Sequence, residues 1–251
     1  MNMRDGFGPD AAATPPATRP WRPATSLLAT SFAFTVAYGL ANQLTSLRDD
    51  VGLGVFAWER AIPFVGWTIV PYLSIIAFFA LSFFIDADAR SLRRHVVRLL
   101  LVLAVSVACY AAFPLRFTFA RPETDGAVGL LFDLLGACDL PYNRAPSLHI
   151  GVLSVLWARF VPCLQGWPRA CLHAWFLLIA VSVLTTYQHH VLDVPAGALL
   201  GVLVIAITAG RGREASRRIG GWFRLRLLPT CCASRASPSD SAASSRTTPS
   251  R

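Results

Sequence analysis

At 251 residues, with 54% hydrophobic and 15% charged residues, the chain is too apolar for an ordinary soluble domain and too short for several domains. Its net charge of +9 rests on 23 basic residues, all arginine, scattered between apolar runs and crowded into the C-terminal tail, so no basic module for nucleic acid results. The six cysteines (Cys109, Cys138, Cys163, Cys171, Cys231, Cys232) hold no CxxC pairing and indicate neither a disulfide framework nor a zinc site.

Residues 1–24 are rich in Pro, Ala and Gly, lack the order of a signal peptide, and are expected to form a disordered cytoplasmic arm. The first apolar segment, Thr25 to Leu47, is long enough at 1.5 Å per residue to cross a hydrocarbon core of about 30 Å. A connection balanced in sign, Arg48-Asp49-Asp50 to Glu59-Arg60, leads to a second span over Ile62–Ile85. The next connection holds Arg90, Arg93, Arg94, His95 and Arg98, and a short loop so dense in arginine stays cytoplasmic. That orientation sends the third span, Val96–Phe113, outward into a long loop from Pro114 to Pro146. A fourth span over Leu148–Val161, an inner turn with Gly166, Pro168 and Arg169, a fifth span over Ala170–Leu184 and a sixth over Val194–Ala209 follow. The fold class expected is an all-α, polytopic six-transmembrane-helix bundle over 25–210, with a basic, Ser/Pro-rich disordered cytoplasmic tail over 211–251. Both termini then face the cytoplasm, and the outer loops face the periplasm or exterior, or a lumen; in a bacterium the membrane would be the inner one.

On this topology Arg116, Arg121, Arg144, Ser147, His149, His189, His190 and Asp193 share the outer face. Ionisable groups at membrane depth or at its edge carry a desolvation cost and mark a functional site. His189 and Asp193 are four apart and share a face if helical; a carboxylate there holds one imidazole nitrogen as N–H and leaves the other as a basic lone pair. Pro195 allows a turn in place of a regular helix at this point. Taken alone, Ser147 and His149 read as an N-cap followed by a buried histidine; joined to the His189–Asp193 pair, they read as an anion cradle and a proton donor. Arginine forks match phosphate oxygens and stay charged, which makes Arg121, Arg116 and Arg144 the candidate substrate-binding cations. The competing reading of those arginines is ordinary loop or headgroup contact. His190 reads as an interfacial hydrogen-bonding residue, and a metal set of His149, His189, His190 and Asp193 is a competing use of the cluster.

Arg121-Pro122, Pro146-Ser147-Leu148-His149 and the stretch from Ser182 through His189 to Asp193 together resemble the three signature blocks of the type-2 phosphatidic-acid phosphatase superfamily. The nearest likeness is to its inositol-phosphoryl-ceramide-synthase-like membrane branch, over roughly Trp67 to Gly201. The resemblance implies that His189 attacks phosphorus and forms a phosphohistidine, that Asp193 orients it, that His149 protonates the leaving oxygen, and that Arg121 and Ser147 hold the phosphate. It implies no cofactor and no metal, because fixed positive charge and positioning supply the stabilisation.

Three positions depart from the pattern: Pro114 stands where the phosphatases have Lys, Leu148 where they have Gly, and Val183 where they have Arg. Arg116 and Arg144 are the candidate replacements. The expected activity is that of an integral-membrane, metal-independent phosphatase of a lipid phosphomonoester or diphosphate. Transfer of a phosphoryl headgroup between lipids is the alternative, since that branch also tends to lack the last Arg. A non-catalytic scaffold or transporter with a degenerate site is the second alternative. The partners expected are the bilayer and a lipid phosphate, with the lipid and the oligomeric state left open.

Overall fold

The computed structural model describes residues 22–85 and 88–209; the N-terminal arm before Arg22 and the basic tail lie outside them. Among the described residues there are seven α-helices and no strand. These are α1 (Pro23–Ser46), α2 (Ile69–Ser82), α3 (Ala89–Ala112), α4 (Gly126–Cys138), α5 (Leu148–Phe160), α6 (Gly166–Thr185) and α7 (Asp193–Thr208).

α1 starts with a proline in its first turn, where the missing N–H is no loss. Its large side chains at Leu28, Phe32, Val36, Leu40 and Leu44, spaced by four and so forming one helical stripe, are exposed, while Ser26, Thr30, Asn42 and Thr45 are buried. That inversion is unstable in water and natural in lipid, where hydrocarbon solvates the leucines and small polar residues let helices approach. By length and composition α1, α3 and α6 are each able to cross a membrane, whereas α2, α4, α5 and α7 are shorter apolar helices. α7, with 16 residues, is about 24 Å long at 1.5 Å per residue, less than the hydrocarbon thickness.

The helices sit close to the expected apolar segments, with three differences, the first being that the arginine-dense stretch expected as a loop before Val96 forms the opening turns of α3, which starts at Ala89. Pro63, Gly66 and Pro71 delay α2: an extended stretch and a short 3-10 turn over Gly66–Thr68 precede its start at Ile69. The loop expected between Pro114 and Pro146 contains α4, which touches α2 and sets Phe132 against Phe64 of the stretch before α2, their rings 5.5 Å apart.

α3 is the central post, packing on α1, α5 and α7. Asp88 caps it by accepting from the backbone N–H of Arg90 and Ser91, both at 3.2 Å. Its buried residues Leu92, Val96, Leu99, Leu103, Ser106 and Tyr110 recur every three or four positions, the period of one buried face. The tightest pair is α5 with α7. A Cβ on Gly201 would come within 2.4 Å of the Ser154 Cβ, and one on Gly197 within 2.4 Å of the Ser147 carbonyl oxygen. Gly197-x-x-x-Gly201 is therefore a small-residue seam that brings the start of α7 against the start of α5.

Candidate active site

One end of the bundle collects the C-terminal ends of α1, α3 and α6, the N-terminal ends of α2, α5 and α7, and the connections between them. Backbone bonds tie it together: Val65 N–H donates to the Thr185 carbonyl at 2.9 Å, Ser147 N–H to the Asp193 carbonyl at 3.1 Å, and Gly52 N–H to the Pro114 carbonyl at 2.8 Å. The Tyr110 hydroxyl donates to the Pro146 carbonyl at 2.8 Å, which secures the Pro146–His149 stretch from α3.

α6 ends at Thr185 and the chain turns sharply: Tyr187 takes the left-handed φ of 55°, and the N–H groups of Gln188 and His189 both donate to the Val183 carbonyl, at 3.1 and 3.0 Å. The turn brings His189 Nδ1 to 3.3 Å from Asp193 Oδ2. The two residues meet across a turn and the first residue of α7, not along a regular helix. Asp193 is buried, and the same Oδ2 accepts from the His190 N–H at 2.8 Å. With the carboxylate facing Nδ1, Nε2 is left to carry the lone pair.

His149, in the first turn of α5, stacks on Tyr72 of α2, ring centres 4.3 Å apart at 17°. Its Nε2 is buried and has no hydrogen-bond partner. Ser147, fully buried, caps α5 by accepting from the Ile150 N–H at 3.3 Å, an arrangement that leaves its own O–H as a donor.

The arginines divide. Arg144 is 5% exposed, donates to the Gln188 carbonyl beside His189 and to the Leu140 carbonyl at 3.5 Å, and sits 5.4 Å from the Phe117 ring centre. Its Nε is buried without a partner. Arg121 is exposed, with its guanidinium 4.6 Å over the Phe132 ring on α4. Arg116 is exposed and takes part in backbone pairing with Tyr142. Of the three, Arg144 is the one the fold brings to the histidine turn.

No known protein family, curated protein or solved structure matches this chain.

The geometry also contains residues that the sequence pattern did not single out. His190, expected at the interface, is 1% exposed; its Nδ1 faces Glu59 Oε2 at 2.8 Å, its ring stacks on Phe117 at 4.5 Å, and Phe119 meets it edge-on at 5.2 Å. Glu59, also 1% exposed, comes from what reads in the sequence as a solvated connection. The signal available was an acidic residue followed at once by Arg60 in a loop of aromatic and apolar neighbours, a pattern too common to select it. A shallow cleft lined by Arg60, Thr118, Phe119, Ala120 and Tyr187 opens beside this pair. Among the described residues no group of three or more His, Cys, Asp or Glu has the arrangement of a metal site, and His190 is turned away toward Glu59.

Proposed function

We propose that the chain is an integral-membrane enzyme that cleaves a phosphoric ester of a lipid through a histidine nucleophile, as a lipid phosphate phosphatase. The observation that carries this reading is the turn that sets His189 against the buried Asp193 carboxylate, with the start of α5, which bears His149, bound to it through the Ser147 N–H on the Asp193 carbonyl. An Asp-oriented imidazole is a nucleophile or a general base; a second histidine nearby supplies the complementary acid. In the proposed sequence Nε2 of His189 attacks phosphorus, the P–O bond to the lipid breaks, and the leaving oxygen takes a proton from His149. Water, deprotonated by His149, then attacks the phosphohistidine and releases phosphate, returning both histidines to their starting states. Arg144 and the Ser147 hydroxyl are the donors closest to hand for the phosphate oxygens.

The membrane arrangement belongs to the same proposal. α1, α2, α3, α5, α6 and α7 supply the six crossings, and α4 lies beside them. The end bearing His189 faces away from the cytoplasm, because the opposite end carries Arg90, Arg93, Arg94 and Arg98.

Transfer to an alcohol on a second lipid is the second reading, and one position favours it. Val183, where the phosphatase pattern has an arginine, is 0% exposed and belongs to the core, so no cation projects into the site from there. The test is phosphate release from a panel of lipid phosphates and diphosphates by detergent-purified protein and its His189→Ala variant, with and without diacylglycerol and inositol-type acceptors. Free phosphate that depends on His189 is the expected result. A new phosphorylated lipid without free phosphate would establish transfer, and equal activity in both proteins would refute the histidine mechanism.

A further inference from the structure

No residue near Glu59 in sequence looks catalytic, yet its carboxylate ends within the turn that carries His189. Oε2 accepts from His190 Nδ1 at 2.8 Å and from the Val191 N–H at 3.1 Å, and Oε1 accepts from the Phe56 N–H at 3.0 Å. Two of the three are backbone N–H donors, and a carboxylate acts only as an acceptor, so His190 facing it presents Nδ1–H. His190 is in turn clamped between Phe117 and Phe119, with Thr118 Oγ1 3.4 Å from its Nε2.

The chain of contacts continues to the proposed nucleophile. The backbone N–H of the same His190 donates to Asp193 Oδ2 at 2.8 Å, and that oxygen faces His189 Nδ1 at 3.3 Å. Glu59 therefore grips the ring of His190, whose N–H aims Asp193, and the N–H of the next residue, Val191. Arg144 on the Gln188 carbonyl and Ser147 N–H on the Asp193 carbonyl hold the two ends of the turn, the Tyr187 hydroxyl ties it to the Ile62 carbonyl at 2.9 Å, and Glu59 with Thr118 holds the middle. A buried carboxylate with three donors is costly to remove on one side only, because the orphaned donors lose their partner.

We propose that Glu59 is a positioning residue for the His189–Asp193 pair, acting through His190 and Val191; this rests on the reading of His189 as the nucleophile. Glu59→Gln keeps the shape but brings an amide in place of one acceptor oxygen, and His190→Phe keeps the ring between Phe117 and Phe119 while deleting the Nδ1 donor.

The experiment uses the full chain in detergent and two readouts. The first is the rate at which diethyl pyrocarbonate modifies His189, followed by peptide mass spectrometry, which needs no substrate. The second is hydrolysis of dioctanoyl phosphatidic acid. In Glu59→Gln and in His190→Phe, the modification of His189 should slow, and kcat should fall by about 10²-fold, the scale of a displaced catalytic group, with KM within about twofold. The double variant should be no slower than the slower single variant, since both changes cut one chain of contacts.

Wild-type rates in folded Glu59→Gln, or effects that multiply in the double variant, would overturn the inference. If Glu59→Gln does not fold, His190→Phe alone decides: unchanged modification and turnover in that variant overturn it. Retained turnover in His189→Ala would instead overturn the nucleophile assignment beneath it. A dead His189→Ala beside a fully active Glu59→Gln would leave that assignment standing and remove only the role of Glu59.

Discussion

At the scale of single residues the site is a matter of who holds a carboxylate. Asp193 shares one oxygen between the His189 ring and the His190 backbone, so replacing it by Asn removes orientation and tautomer control without removing the nucleophile. Asp193→Asn should stay folded and lose roughly 10²–10⁴-fold in kcat, measured as phosphate release, on the precedent of the triad aspartate. Arg144→Lys should cost about 1.5–3 kcal/mol in kcat/KM, the worth of a hydrogen bond to a charged group, because a single ammonium lacks the planar fork that holds the Gln188 and Leu140 carbonyls and still presents Nε. The His189–Asp193 spacing is visible in the chain, and so are Ser147 and His149. The partner of His190 is not: 131 residues separate it from Glu59, and no local pattern couples them. The same holds for the three candidate arginines, which look alike in one loop and separate only when α4 takes Arg121 and a backbone pairing holds Arg116.

At the scale of elements the α5–α7 seam aligns the two histidine stretches. Because a Cβ at Gly201 would meet Ser154 and the Gly151 carbonyl, Gly201→Leu should destabilise the bundle by about 1–3 kcal/mol, read as a lower thermal unfolding midpoint in detergent. Leu199→Ala, on the exposed side of α7, should leave that midpoint nearly unchanged. Hydrophobic runs reveal most helix positions, because a membrane-compatible helix must be apolar along its length. They reveal ends poorly: α2 begins seven residues after its apolar run at Ile62, since prolines and a 3-10 turn intervene. They also pass over α4, whose 13 residues are too few for a span and are read as loop.

At the scale of the whole molecule the exposed apolar stripe of α1 and the buried small polar residues opposite it are compatible with lipid as the solvent of this bundle. The orientation is open to direct test. With native cysteines replaced, Trp58→Cys and Arg94→Cys should react with a membrane-impermeant maleimide from opposite sides, Trp58→Cys from the side away from the cytoplasm. Labelling of both from one side would refute the proposed topology.

The apolar runs, the arginine-dense loop and the three short polar stretches are properties of consecutive residues, and the sequence by itself determined from them an all-helical, membrane-compatible chain with candidate chemistry near Ser147–His149 and His189–Asp193. Which polar groups meet was decided by the tertiary structure alone. Burial favours pairing each donor with an acceptor, and the acceptor for His190 lies 131 residues away along the chain, in a turn whose own sequence carries no sign of it.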